Sequence, residues 1–171
     1  MQETAQEYTQ RLLGYTEGKQ PLAIQRSTPA KLAALVKRLS RQQIAKRPAK
    51  DKWSVAEILA HLADTELVVS WRIRQTLTAN GTPIQAYDQD AWAEAFKYGR
   101  RDPKVALNTF RTLRENNLAL LKTVSKDLLE NYGLHQERGK ESVNRIVQMV
   151  AGHDVNHLQQ IERIVKAARS R

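Results

Sequence analysis

Gly152-His153-Asp154-Val155-Asn156-His157-Leu158-Gln159-Gln160-Ile161 places two histidines four residues apart. At 3.6 residues per turn such residues stack on one helical face with Cβ atoms roughly 6 Å apart, close enough to bind one metal ion together. Rotation at 100° per residue puts His157 on a stripe with Ile146, Met149, Val150, Gln160, Ile161 and Ile164, the continuous apolar stripe of this segment. The stretch therefore reads as a core-facing helix with both imidazoles turned inward. An unsatisfied buried polar group costs about 1 to 3 kcal/mol, so these rings need hydrogen-bond or metal partners from elsewhere in the chain.

The 171 residues, 41% hydrophobic and 27% charged, suit one globular domain spanning 1–171. There is no Cys, which removes disulfides, thiolate metal sites, iron-sulfur clusters and cysteine nucleophiles. Any metal must be held by nitrogen and oxygen. No apolar run follows a basic start at the N-terminus, and no apolar window approaches ~18 residues, so a cytoplasmic protein without a membrane span is expected. The net charge of +10 raises nucleic acid as a partner. The basic residues are scattered along the chain as Lys37 to Lys50, Arg100 to Lys104 and Arg163 to Arg171, interleaved with acids or at element ends. No helix-turn-helix, zinc-finger or RNP pattern accompanies them, and direct nucleic-acid binding is not expected.

Residues 3–17 read as a short lead-in helix ended by Gly18 and Pro21. Thr28-Pro29 reads as a helix start, a capping hydroxyl followed by Pro at the first helical position, with Leu32, Leu35, Val36 and Leu39 behind it. Ser40 to Gln43 supports one further capped turn, and Arg47 to Lys52 is a polar connection around Pro48. Trp53-Ser54-Val55-Ala56-Glu57-Ile58 is the clearest start in the chain, with Ser54 as N-cap, Glu57 closing the capping box, and Trp53 and Ile58 as the hydrophobic staple. That helix runs through His61 to Leu77 and stops at Asn80-Gly81-Thr82-Pro83, leaving His61 where core meets pocket. Residues 83–101 are a long aromatic-rich connection. Asp102-Pro103 starts a third long helix, and a fourth runs from near Ser142 to about Ala168. No segment alternates with period two, so no sheet is expected. The pattern predicts an all-α four-helix bundle with a long crossover loop between helices 2 and 3, an architecture that builds metal sites from facing helices.

Of the four histidines, His61, His153 and His157 lie on predicted long helices, and His135 reads as a loop residue. Three neutral imidazoles suit Zn, Ni, Cu or Fe, and three protein ligands with open positions is the pattern of a catalytic zinc site rather than a structural one. Asp64, Glu57 and Asp154 are candidates to orient these ligands or to accept a proton. Trp53, Trp71 and Trp92 read as core and staple residues. The run from His153 to His157 is not a metalloprotease helix, which needs Glu directly after the first His.

The stretches Lys52 to Glu66 and Gly152 to Ile161 resemble the DinB-like superfamily, as do Asp88-Gln89-Asp90-Ala91-Trp92 and Phe110-Arg111-Thr112-Leu113-Arg114, so that the likeness runs from about residue 8 to residue 167. It implies an up-up-down-down bundle, a divalent metal, Zn or Ni, on His61, His153 and His157, and a homodimer. Relatives in that family include transferases and isomerases that use bacillithiol or mycothiol. By that resemblance a low-molecular-weight thiol would serve as cofactor, and the loop with Tyr87 and Trp92 would shape the pocket for a small electrophilic substrate. Two readings stand open: a metal-dependent transferase or hydrolase, and a non-catalytic metal-binding dimer, stress-linked, that binds a protein or nucleic-acid partner.

Overall fold

Side-chain caps fix where the helices begin in the computed structural model, which describes residues 3–169. Thr4 with Glu7 closes a capping box on α1 (Ala5–Gly14), Ser40 with Gln43 on α3 (Arg41–Ala45), and Ser54 with Glu57 on α4 (Val55–Thr78). Asp88 caps the short α5 (Gln89–Ala95), and Asp102 accepts from Lys104 N–H at the start of α6 (Pro103–Thr123). Ser142 Oγ accepts from Arg145 N–H at the head of α7 (Val143–Arg169).

The remaining helix, α2 (Pro21–Val36), corrects the expected start at Thr28-Pro29. Pro21 occupies the first turn instead, and Pro29 lies inside the helix. A proline there cannot donate to the carbonyl four residues back. The Gln25 carbonyl so released accepts from Arg114 Nη1 at 3.2 Å, and Thr28 Oγ1 turns back to the Ile24 carbonyl rather than capping. The side chain of a neighbouring helix thus fills the gap in the ladder.

The four long helices α2, α4, α6 and α7 form the bundle, but not in the up-up-down-down order. Gln25 bonds to the Val147 carbonyl while Leu32 packs with Leu158, Ile161 and Val165, so α2 and α7 run parallel. Leu59 and Leu62 share that end with Phe110, whereas Ile73 and Leu77 share the other with Leu121, Ile146 and Val147. Hence α4 and α6 run parallel to each other and opposite to α7, an up-down-down-up order. The crossover between α4 and α6, from Ala79 to Asp102, joins these parallel neighbours by running back along the bundle.

Leu32, Ile58, Leu59 and Phe110 in one apolar cluster are each no more than 1% exposed, and each contributes about 1.5 to 3 kcal/mol by burial. The second cluster, around Ile73 and Ile146, fills the opposite end. Between the two, His61, Glu66, Arg114, Asn117, His153, Asp154 and His157 are buried polar residues.

A small sheet also departs from expectation. β1 (Thr82–Ile84) pairs parallel with β2 (Tyr132–His135), and β2 pairs antiparallel with β3 (Gly139–Ser142). Strands of three and four residues are too short to display alternation. Gly133 permits the pairing, since a Cβ there would stand 2.4 Å from Ile84 Cδ1, and Gly139 turns the hairpin at φ +72°. His135 is therefore a buried strand residue rather than a loop histidine. Trp71, expected in the core, is 65% exposed on α4. Among the described residues no helix is long and apolar enough to cross a membrane.

Candidate metal centre

His61 sits two turns into α4, and its place follows from how that helix begins. The Ser54–Glu57 box fixes the first turn, and Arg47 Nε reaches both Glu57 carboxylate oxygens at 3.0 Å. Trp53, directly ahead of the cap, lays its ring 4.9 Å from that of His61. On α7 the decisive residue is Gly152, where a Cβ would stand 2.1 Å from the Leu12 carbonyl oxygen. Only glycine lets α1 press its backbone onto α7 beside His153. Arg11, held by Glu3, then donates to Asn156 Oδ1 at 2.8 Å.

The three histidines expected to act together do converge. His61 Nε2 lies 3.0 Å from His153 Nε2, and His157 Nε2 lies 3.1 Å from the same atom. All three rings are buried. Nitrogen ligands at ~2.0–2.1 Å from a divalent ion stand about 2.9 Å apart on an octahedral face and about 3.3 Å apart in a tetrahedron, so the observed spacings suit one ion. The protons reinforce the fit. His157 Nδ1–H donates to Gln160 Oε1 at 2.9 Å, which leaves the lone pair on Nε2. His153 Nε2 then faces two ring nitrogens with at most one proton to give, while buried His61 Nδ1 has no partner among the described residues. A cation accepts all three lone pairs at once.

Burial holds the cluster neutral, the form a metal needs. It drives His61 and His153 well below the usual imidazole range, with their neighbouring imidazoles adding to the effect. His157 is pushed down to about 4, burial outweighing the opposing Gln160 bond.

The carboxylates proposed as orienters are engaged elsewhere: Glu57 with Arg47, Asp64 with Arg101 at 2.7 Å, and Asp154 with Arg114. Gln160 holds His157 instead, a role readable in principle from its spacing of three residues. Glu66 and Arg114, which sequence reasoning overlooked, form the buried ion pair behind His153. A cavity of about 940 Å³ opens over His61 and His153, walled by Tyr8 of α1, Thr65 and Arg72 of α4, Tyr87 after β1 and Arg138 of the β2–β3 turn. Thr65 Oγ1 is 3.4 Å from His61 Nε2 and 2.8 Å from Tyr87 Oη, and Trp92 packs on the Tyr87 ring at 4.6 Å.

A family model described as the DinB superfamily matches residues 25–161. Among curated relatives, a candidate metal-dependent hydrolase of Oceanobacillus iheyensis is 27% identical over 114 residues, covering 67% of this chain and 66% of its own. YfiT of Bacillus subtilis, another candidate metal-dependent hydrolase, is 26% identical over 135 residues, covering 78% of this chain and 75% of its own. The solved structure of YfiT, described as an unusual four-helix bundle, superimposes with a TM-score of 0.81 at 22% identity, covering 86% and 85% of the two chains. A mycothiol-dependent maleylpyruvate isomerase does so with a TM-score of 0.66 at 12% identity, covering 81% of this chain and 57% of the isomerase.

Proposed function

The chain belongs to the DinB superfamily, and from that premise we propose that it is a divalent-metal-dependent enzyme that activates a small nucleophile, a low-molecular-weight thiol in the first instance, against an electrophilic substrate. The observation that carries this reading is the convergence of three neutral Nε2 atoms on one point beneath a cavity. A divalent ion, Zn or Ni, held by His61, His153 and His157 would supply Lewis acidity at its remaining positions.

The chain's own residues favour a thiol over water. Among the described residues no carboxylate is hydrogen-bonded to the cluster: Glu57, Asp64 and Asp154 are committed to arginines, as are Glu3 and Glu141 at the cavity wall, while Asp88, Asp90 and Glu137 line the cavity without a hydrogen bond to an imidazole. A free thiol ionises near 8.5, against 15.7 for water, and needs less help to lose its proton. The Thr65–Tyr87 hydroxyl pair, next to His61, is placed to orient a polar group of the substrate. Tyr87 walls the electrophile's side of the cavity, and Trp92 packs on its ring at 4.6 Å. The relatives described as hydrolases support water as the second nucleophile.

Elemental analysis of untagged protein tests the site: about one divalent ion per chain is expected, lost in His61→Ala and His153→Ala. The metal form should then consume chlorodinitrobenzene in the presence of bacillithiol or mycothiol, and hydrolysis of a p-nitrophenyl ester without thiol would assign water instead. Protein that takes up neither Zn nor Ni sinks the proposal. The homodimer belongs to the same proposal, with Leu67 and Trp71 on α4, 57% and 65% exposed, as its seam. A monomer mass by light scattering would remove it.

A further inference from the structure

The basic residues are scattered in sequence but not in space. Segments 37–57, 97–104 and 160–169 hold 14 of the 28 Lys and Arg and only 4 of the 18 Asp and Glu, which equals the whole net charge of +10. The rest of the chain is neutral, with 14 of each sign. The up-down-down-up order gathers these segments at one end of the bundle. Gln43 of α3 reaches the Ala168 carbonyl at the end of α7, Arg47 pairs with Glu57 at the start of α4, and Gly99 lies against Glu57. Leu35, Leu39, Ile44, Leu107 and Ile164 all pack on the same apolar cluster.

Helix-dipole compensation does not account for this surplus. It covers cations at the C-terminal ends of α2 and α7, but α4 and α6 begin at the same end, where the dipole favours anions. Lys50, Lys52, Lys97, Arg100 and Lys104 nevertheless surround those two starts. Local pairing is also slight: Arg47, Lys52 and Arg101 have carboxylate partners, while Lys37, Arg38, Arg41, Lys97, Arg100 and Lys104 have none within 4 Å among the described residues. Lys97 further holds a left-handed backbone at φ +51°, a conformation that costs about 1 kcal/mol or more outside glycine and that turns the chain between α5 and α6. Beside it Phe96 is 51% exposed, with one side of its ring 5.4 Å from that of Trp92, and a second cavity of about 250 Å³, lined also by Glu57 and Glu94, separates Lys97 and Arg100 from Arg47.

We infer that this end of the bundle binds single-stranded nucleic acid, its cations on phosphates and Phe96 stacked on a base. Unpaired cations on several elements at one end, together with an exposed ring beside Lys97, are the elements of sequence-tolerant strand binding. Insertion into an anionic membrane would need a contiguous apolar face with those cations. The exposed Phe96 and Val105 lie on different elements, which does not make one.

The experiment is fluorescence anisotropy of labelled 20-nucleotide oligo(dT) and oligo(rU) with the untagged full chain, between about 50 and 200 mM salt. Binding with a log–log salt slope of about −3 or steeper is expected, since each phosphate neutralised on a single strand contributes about −0.7. The triple reversal Lys97→Glu/Arg100→Glu/Lys104→Glu should weaken binding at least tenfold, and so should Lys37→Glu/Arg38→Glu/Arg41→Glu on other elements. Phe96→Ala should weaken it several-fold, and His153→Ala should leave it unchanged, which separates this surface from the metal site. No binding at micromolar protein, binding that both reversals leave intact, or capture by vesicles containing 30% phosphatidylserine without capture of either oligonucleotide would each overturn the inference.

Discussion

His153 and Asp154 are neighbours on α7, yet they belong to two buried polar regions of opposite character. Behind Asp154, Arg114 uses all five of its N–H groups: on both Glu66 oxygens, on both Asp154 oxygens and on the Gln25 carbonyl. Asn117 adds bonds to Glu66 and Ser70. That network is charged, closed and saturated by the protein itself. The imidazole cluster is neutral, opens onto a cavity, and has three acceptor nitrogens converging with too few protons between them. A saturated network can only fix the helices it joins. An unsaturated one is completed from outside, and the same helices supply both.

Breaking the closed region should have the largest effect. Arg114→Met leaves Glu66 and Asp154 buried without their cation and should cost about 3 to 5 kcal/mol of unfolding free energy in urea titrations. A loss below 1 kcal/mol would mean that the two carboxylates take up protons or water at little cost, and that the network is not what aligns α4, α6 and α7.

Acid should separate the regions next. A histidine whose folded value lies below its unfolded value of about 6.5 contributes stability that is complete above 6.5 and lost as pH falls toward the folded value. His157, held near 4, should by itself account for about 2 kcal/mol of the stability that metal-free protein loses between pH 7 and pH 5, in addition to the losses from His61, His153 and His135, which burial also lowers. Burial raises Asp154 instead, so protonating it relieves the closed network as pH falls. Urea midpoints at the two pH values, with His157→Gln as control, check this. Equal losses in both proteins would remove His157 as the source.

Gln160→Leu tests the side chain that hydrogen-bonds His157 Nδ1 and so orients a nitrogen of the proposed metal site. Metal affinity should fall at least about tenfold in competition with a chromogenic chelator, while the fold is retained. Unchanged affinity would show that packing alone sets the ring. The smallest effect is expected from Tyr87→Phe, which removes one hydrogen bond to Thr65, worth about 1 kcal/mol. Turnover should drop about fivefold with metal content unchanged, and loss of the metal would place Tyr87 in the cluster's support rather than in the substrate's path.

Much of this was legible in the sequence because it is local. The capping box at Ser54–Glu57, the Asp102–Pro103 start and the spacing of His153 and His157 each lie within one or two turns, where residue identity and helical period suffice. Pro29 misled for the same reason. Local rules make it a helix start, and only Arg114, brought in from 89 residues along the chain, lets the Gln25 carbonyl survive inside a helix. The sheet was hidden by its brevity, and Trp71 by the fact that hydrophobicity does not say which face of α4 lies outside.

The sequence by itself determined the helical class, the long helices, the inward imidazole pair and the exclusion of cysteine thiolate ligands, because these depend on composition and short-range periodicity. Tertiary structure alone decided that the second and third bundle helices run parallel, that His61 meets His153 at 3.0 Å, that Asp154 pairs with Arg114 rather than with a histidine, and that the basic segments share one end. Each of these depends on how helices pack against one another, and helix direction and register are set by contacts between residues far apart in the chain.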